Sequence, residues 1–466
     1  SSGIAGNRTR RVRLYRTKET DMTDKTEPRA LQGAMELLPK DQILFNRMYD
    51  TIRSVYEQFG FLPLDTPVIE YSAVLLAKAG GETEKQIYRF TKGDSDLSLR
   101  FDLTVPLARY VAQHKEELVF PFKRYQMGKS FRGERPQKGR FREFYQCDID
   151  VIGPGELDPM YEAEMPAVIY QVFKKLNLGR FVIRVNNRRI LNGFFETLGL
   201  EDRIAGILRA VDKLEKIGAE KVRAELLELS VSADAAGRIL DFVGIRGCSG
   251  AVIAALRGLG IENETFRTGV DELETVLRCA VSYGVPEENL MADLTIARGL
   301  DYYTGTVYET MLTDYPSLGS VCSGGRYDDL TGFYTDDRLP GVGVSIGLTR
   351  LFSQMKSENL FPDQKPALVD VLVVPMAAAH RPAALAASAA LRAAGLNADV
   401  YWLDRGIKPK MKFANRSGIP YVALIGDSEA QSGLVALKNM ETGEQMLLTP
   451  AEAAEQLLRA LADKPR

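Results

Sequence analysis

Residues 131–150, FRGERPQKGRFREFYQCDID, decide how the fold is read. The β-type runs FKRYQMGKSF and FREFYQCDIDVIG flank the polar turn ERPQKGR, and a further run, LSLRFDL, precedes them. This pattern predicts a long antiparallel hairpin with a basic loop. Arg132, Arg135, Lys138, Arg140 and Arg142 fall within eleven residues, with Glu134 and Glu143 among them. Residues two apart on a strand share a face, so Arg140 and Arg142 point together, as do Phe144, Gln146, Asp148 and Asp150. Guanidinium groups suit phosphate oxygens through paired hydrogen bonds, and an aromatic ring suits a purine face. On this segment alone, a solvated hairpin with paired charges is an equal alternative.

Upstream, residues 41–60 carry Ile43, Leu44, Met48, Ile52, Val55 and Phe59 at helical spacing, with Gly60 as the stop. FLPLDTPVIE follows as an extended segment, and RFDLT at 100–104 passes as a strand with a charged edge. Downstream, the texture changes near 190. Residues 191–285 are rich in Leu, Ala, Glu and Arg at helical spacing, and β-type runs return with LTIARGLDYYTGTVYETML and GVGVSIGLTRL. The simplest account is a helical insertion within one β-rich domain. NLFPDQKPA at 359–367 reads as a linker. Beyond it, VDVLVVP, a helix near 380–395, ADVYWL, a basic helix, YVALIG and VALKNM predict a small α/β domain.

Three more segments carry chemistry. In ARGLDYYTGTVYE (297–309), Arg298 sits in an otherwise apolar, strand-like stretch, where an unpaired cation is costly. A bound anion or Asp301 would offset that cost. SGGRYDDL (323–330) is a paired-glycine turn, weak by itself. GVGVSIGLTRL (341–351) is a glycine-spaced strand entering a helix with Arg350 in its first turn, and its spacing is not the dinucleotide fingerprint.

The 466 residues suggest about three domains at ~150 residues each. Lys plus Arg total 60 against 62 Asp plus Glu, a net charge of −2, which argues against coating nucleic acid through bulk charge. Local basic patches stay open. The four Cys are too far apart for a CxxC metal knuckle, and with two His an HExxH helix is excluded. The chemistry is therefore expected to run on carboxylates, arginines and backbone, in a reducing compartment. No run reaches the ~18 apolar residues of a membrane span. Residues 1–28 are set aside as a tail, disordered or added ahead of Met22, with a basic nucleic-acid arm or transit peptide as the alternative.

Together these segments resemble the class II aminoacyl-tRNA synthetases. FRGERPQKGRFREFYQCDID resembles their motif 2, GVGVSIGLTRL motif 3, and DTPVIE at 65–70 the interface-building motif 1. ARGLDYYTGTVYE and SGGRYDDL resemble the two signature peptides of the histidyl-tRNA synthetase family. The resemblance covers residues 29–466. It implies an α+β catalytic core on a mixed, mainly antiparallel sheet (29–190 and 286–358), interrupted by the helical insertion (191–285). A C-terminal α/β anticodon-binding domain (368–466) would complete the chain. The implied reaction is activation of L-histidine by ATP, with Mg2+, and transfer to histidine tRNA, by a cytoplasmic homodimer.

The implied roles follow the matching residues. Arg132 and Arg298 are the catalytic pair, on opposite sides of the α-phosphate. Glu134 meets the adenine amino group, Phe144 stacks on the ring, and Arg140 and Arg350 hold the terminal phosphates. Asp102, Thr104 and Gln146 take the amino group of histidine; Asp150, Tyr303 and Tyr327 take its imidazole. Asp102 and Asp150 stand where one common family pattern has Glu, and Asp329 stands where Gly is usual. In the last domain, Arg405, Lys408, Lys410, Lys412 and Arg416 form a candidate tRNA footprint with no acidic residue from 405 to 426. Tyr401 and Trp402 are read as core before base-stacking, and His114 and His380 as structural. The rival reading is a non-catalytic, histidine-sensing regulatory subunit of ATP phosphoribosyltransferase, which generally lacks the last domain and the catalytic arginine. Prolyl, threonyl and glycyl synthetases are disfavoured by the signature peptides.

Overall fold

A computed structural model describes residues 26–77, 82–135, 139–297, 302–361 and 367–462. The expectation for residues 1–25, the tip of the basic loop at 136–138 and Arg298 lie outside the described residues. The first long helix, Pro39–Gln58, starts on a proline and ends before Gly60, whose φ of +77° is open to glycine at little cost. Its apolar stripe, with Phe45, Met48, Ile52 and Val55 buried, packs on the central sheet, where the Tyr56 hydroxyl donates to the Cys147 carbonyl at 2.9 Å.

The strands of the first part are β1 (Leu62–Pro63), β2 (Ile69–Tyr71), β3 (Arg89–Lys92), β4 (Ser95–Leu99), β5 (Phe122–Phe131), β6 (Glu143–Ile152), β7 (Phe181–Asn187), β8 (Leu290–Ala292), β9 (Thr306–Leu312), β10 (Ser320–Tyr327) and β11 (Gly341–Ile346). β2, β4 and β3 form a small sheet, and the other eight form one sheet in the order β1-β5-β6-β11-β10-β9-β7-β8. The edge pairs β1/β5 and β7/β8 are parallel and every other pair is antiparallel. The expected hairpin is β5/β6, in unbroken register from Phe131↔Glu143 to Phe122↔Ile152.

LSLRFDL departs from the reading as one strand. It leaves the sheet at Leu99, and the Asp102 carboxylate accepts from the Val105 N–H at 3.0 Å to start the helix Thr104–His114. A short acidic side chain that satisfies a free helical N–H ends a strand more effectively than the alternation extends it. LTIARGLDYYTGTVYETML (294–312) likewise is not one strand: β8 ends ahead of it at Ala292, residues 294–297 lie outside any strand, and β9 takes up only Thr306–Leu312.

One face of the large sheet is sealed by the helices Pro39–Gln58, Pro159–Lys175, Arg188–Thr197 and Glu264–Ser282, over a continuous apolar core. Residues 201–282 are helical segments, and Gly193 and Gly269 let the last of them, Glu264–Ser282, touch the helix Arg188–Thr197: a Cβ on Gly269 would meet the Ile190 nitrogen at 2.7 Å. The last part is a five-stranded sheet in the order β13-β12-β14-β15-β16. Its strands are β12 (Val371–Pro375), β13 (Ala398–Val400), β14 (Tyr421–Ile425), β15 (Val435–Asn439) and β16 (Gln445–Leu448). β12 pairs in parallel with β13 and β14, and the rest is antiparallel.

Candidate active site

The pairing register assembles the site. Gln126, Asp148, Ser345, Ser323, Glu309 and Arg184 lie in one transverse row across six neighbouring strands. Two residues along each strand, on the same face, Arg124, Asp150, Gly343 and Gly325 form the next row. The opposite face carries Cys147, Ile149 and Val344 into the core. A sheet with one sealed face thus presents a polar floor on the other.

On that floor Arg124 is fully buried, pairs with Asp150 at 2.6 Å and donates to the Leu103 carbonyl at 3.3 Å. The Tyr327 hydroxyl donates to the other Asp150 oxygen at 2.8 Å. The glycines of GVGVSIG make room for this. A Cβ on Gly343 would sit 2.1 Å from Asp150 Oδ1, and one on Gly341 would sit 2.4 Å from the Tyr327 ring. Burial pushes Asp150 up to about 6, with Arg124 and the Tyr327 hydroxyl pulling the other way. Tyr303 and Tyr302 pack edge to face at 5.0 Å, Tyr302 meets Tyr327 at 6.0 Å, and burial raises all three phenols. Asp102, also raised by burial, acts electrostatically on Asp148, Asp150 and Tyr303. Gln146 donates to the Ser345 hydroxyl at 3.0 Å. Asp102, Gln146, Asp150, Tyr303 and Tyr327 therefore share one pocket, with Thr104 at its edge beside Tyr302.

The basic groups gather beside this pocket. The Arg132 guanidinium lies 4.5 Å from the Phe101 ring centre and 5.0 Å from that of Phe144, and donates to the Phe101 carbonyl at 3.3 Å. Burial lowers its basicity, while Asp102 and Glu134 support the charge. Arg140 pairs with Glu134 at 3.1 Å across the neck of the loop. Arg350 donates to the Leu318 carbonyl at 2.6 Å, and its buried Nε has no partner among the described residues. Burial first, then the nearby Arg140 cation, lowers Arg350. Two guanidinium groups that repel across a cleft form an anion site, since a phosphate between them removes the repulsion.

Alternation along β6 signalled the right face but no role for Asp148. No sequence motif gives Arg124 or Glu309 a role. Their signal is period-2 polarity in FKRYQMGKSF and TVYETML, strands whose other face is apolar. Reading it requires knowing which strands are neighbours.

In the last domain, Arg405, Lys408, Lys412 and Arg416 are exposed, the latter three four residues apart along the helix Ile407–Arg416. Lys410 departs from the expected footprint. It is 2% exposed and its Nζ donates to the Pro375 carbonyl at 2.6 Å, because position 410 faces the sheet. Tyr401 is core, but Trp402 is 44% exposed, since β13 ends at Val400 and releases it to the surface. His380 accepts from the Ala377 N–H at 3.1 Å and meets Asp427 at 2.8 Å, which leaves it a structural group.

A mainly antiparallel sheet with buried carboxylates and flanking arginines on its open face defines a class II aminoacyl-tRNA synthetase core. The family model "Histidyl-tRNA synthetase" matches residues 33–351, and an "Anticodon binding domain" model matches residues 370–460. A histidine–tRNA ligase from Clostridium tetani is 55% identical over 431 residues, covering 92% of this chain and 98% of the relative. The crystal structure of histidyl-tRNA synthetase from Nostoc sp. PCC 7120 superposes with a TM-score of 0.87 at 42% identity, covering 94% of this chain and 100% of that one. A Bacillus halodurans protein described as an ATP phosphoribosyltransferase regulatory subunit/histidyl-tRNA synthetase shares the fold alone, with a TM-score of 0.71 at 22% identity, covering 84% of this chain and 97% of that one. The chain belongs to the histidyl-tRNA synthetase family.

Proposed function

We propose that this chain joins L-histidine to ATP, forming histidyl-adenylate and releasing pyrophosphate. It then transfers the histidyl group to the 3′ end of histidine tRNA, releasing AMP. The observation that carries this reading is the pocket in which Asp150, Tyr327 and Tyr303, from motif 2 and both signature peptides, adjoin Arg132. Asp150, Tyr303 and Tyr327 hold the imidazole; Asp102, Thr104 and Gln146 surround the amino group. Arg132 contacts the α-phosphate, with Arg298 given the opposite side. Phe144 and Glu134 hold adenine, and Arg140 and Arg350 the terminal phosphates. Arg140 must then exchange Glu134 for phosphate. Such a site works by positioning and charge, and needs no protein nucleophile.

Mg2+ fits as a passenger of the phosphates. A hard cation of this kind is held by phosphate, water and one or two carboxylates. Glu309, on the site face and within the field of Arg350, is the carboxylate we assign to it. The domain division is 29–190 with 286–358, the insertion 191–285, the linker 359–367 and 368–466. The insertion faces the acceptor arm of the tRNA, and Arg405, Lys408, Lys412 and Arg416 face its phosphates. Exposed Leu62, Ile69 and Tyr71 support a homodimer through the motif 1 region, and the four unpaired cysteines suit the cytoplasm. The last domain speaks against the regulatory-subunit reading. Histidine-dependent exchange of pyrophosphate into ATP tests the proposal. The intact chain should exchange, and Arg132→Ala should lose on the order of 10²-fold or more. No exchange by the intact chain defeats the reading.

A further inference from the structure

Asp148 lies on β6 between Gln146 and Asp150, about 7 Å from each along the strand, and on their face. It is 3% exposed. Its Oδ1 has no hydrogen-bond partner among the described residues, nor has Oε1 of Gln146 or Oε1 of Gln126, which faces Asp148 from β5. Three buried acceptors without hydrogen-bond partners on one patch suit a ligand rich in N–H groups. An ammonium group offers three N–H donors and a charge.

The neighbours of Asp148 leave that place open. Arg124, on β5, is engaged by Asp150 and the Leu103 carbonyl, although its Nε and Nη1 have no partner among the described residues. Ser345, on β11, accepts from Gln146 and its hydroxyl stabilises the Asp148 carboxylate, while Oδ1 of Asp148 stays without a partner among the described residues. Asp102 spends one oxygen on the Val105 N–H. Asp102 and Asp150 add negative charge, and Tyr303 is kept neutral by burial. Glu309 stands three strands away in the same row. Burial, opposed by Arg124 and the Ser345 hydroxyl, pushes Asp148 up to about 7, so near neutral pH it is about half protonated.

We infer that Asp148 joins Asp102 as a counter-charge for the α-ammonium group of the bound amino acid, and that it releases its proton to solvent when that group arrives. The carboxylic O–H bond breaks, the proton passes to buffer, and the carboxylate accepts an ammonium N–H; no electrons are transferred. The inference rests on the pocket being that of histidine.

Calorimetric titration of the full chain with L-histidinol, which keeps both the ammonium and imidazole groups, tests it at pH 7 in buffers of different ionisation heat. The intact chain should release about half a proton per ligand more than Asp148→Asn, the contributions of Asp150 and of the ligand's imidazole being common to both, and Asp148→Asn should bind 10- to 100-fold more weakly. Asp148→Glu, which keeps the acid, should retain the release if the amide variant folds poorly. Imidazole-4-propionate, which lacks the ammonium, should bind the intact chain and Asp148→Asn within about twofold of each other. Equal proton release by the intact chain and Asp148→Asn would overturn the inference alone, and so would an equal loss of the deaminated ligand. Absence of histidinol binding to the intact chain would remove the pocket reading with it.

Discussion

Replacing Arg124 by Met keeps the side-chain length and removes the buried counter-charge of Asp150. The pair stands 2.6 Å apart with Arg124 fully buried. Breaking such a pair costs about 3–5 kcal/mol while the remaining charge persists. Asp150 escapes that cost by keeping a proton, and the escape makes the penalty depend on pH. An acid raised in the folded state holds a proton that the unfolded chain has lost, so stability falls as pH climbs from the ordinary Asp value to the folded one. In the intact chain the fall due to Asp150 ends near pH 6, where Arg124 helps to set its value. Without Arg124 the fall continues. The penalty of Arg124→Met should therefore grow by up to about 1.4 kcal/mol per pH unit, or about 2 kcal/mol between pH 6 and pH 8. Asp148, held at about 7 against the pull of the same arginine, steepens the slope above pH 7. Urea unfolding of both proteins at pH 6, 7 and 8 measures it. A penalty that is constant across this range, or largest at pH 6, would refute the reasoning.

Two further outcomes follow from contacts in the site and on the last domain. Gly343→Ala places a methyl group 2.1 Å from Asp150 Oδ1, so the carboxylate must leave Tyr327 or the strand must shift; about 1–3 kcal/mol of stability and a raised KM for histidine, with KM for ATP unchanged, are expected in pyrophosphate exchange. Lys408→Glu combined with Lys412→Glu should weaken tRNA binding in a filter assay and spare adenylate formation, whereas Lys410→Met should leave tRNA affinity intact and cost about 1–3 kcal/mol by stranding the Pro375 carbonyl. Equal damage to both catalytic steps by the double variant would defeat the footprint.

Much of the architecture was legible because it depends on local periodicity. Helical spacing marked Pro39–Gln58, alternation marked β5 and β6, and polar turns separated them. The failures have local causes as well. Asp102 spends its carboxylate on a helix start, Lys410 takes the buried position of an otherwise basic helix, and Trp402 falls one residue past Tyr401, the last core position. Each depends on which way a single residue faces, and a charge or an indole is compatible with either direction.

By itself the sequence determined the strand and helix elements and the family peptides, since both are written in short stretches of chain. It also determined that the chemistry has arginines and carboxylates to work with and only two imidazoles. Only the tertiary structure decided which of them meet. Arg124 reaches Asp150, and Glu309 joins the row of Asp148, through pairing between strands distant in the chain. Burial of that shared face then raises Asp148 and Asp150, an effect set by surrounding atoms that no spacing along the chain records.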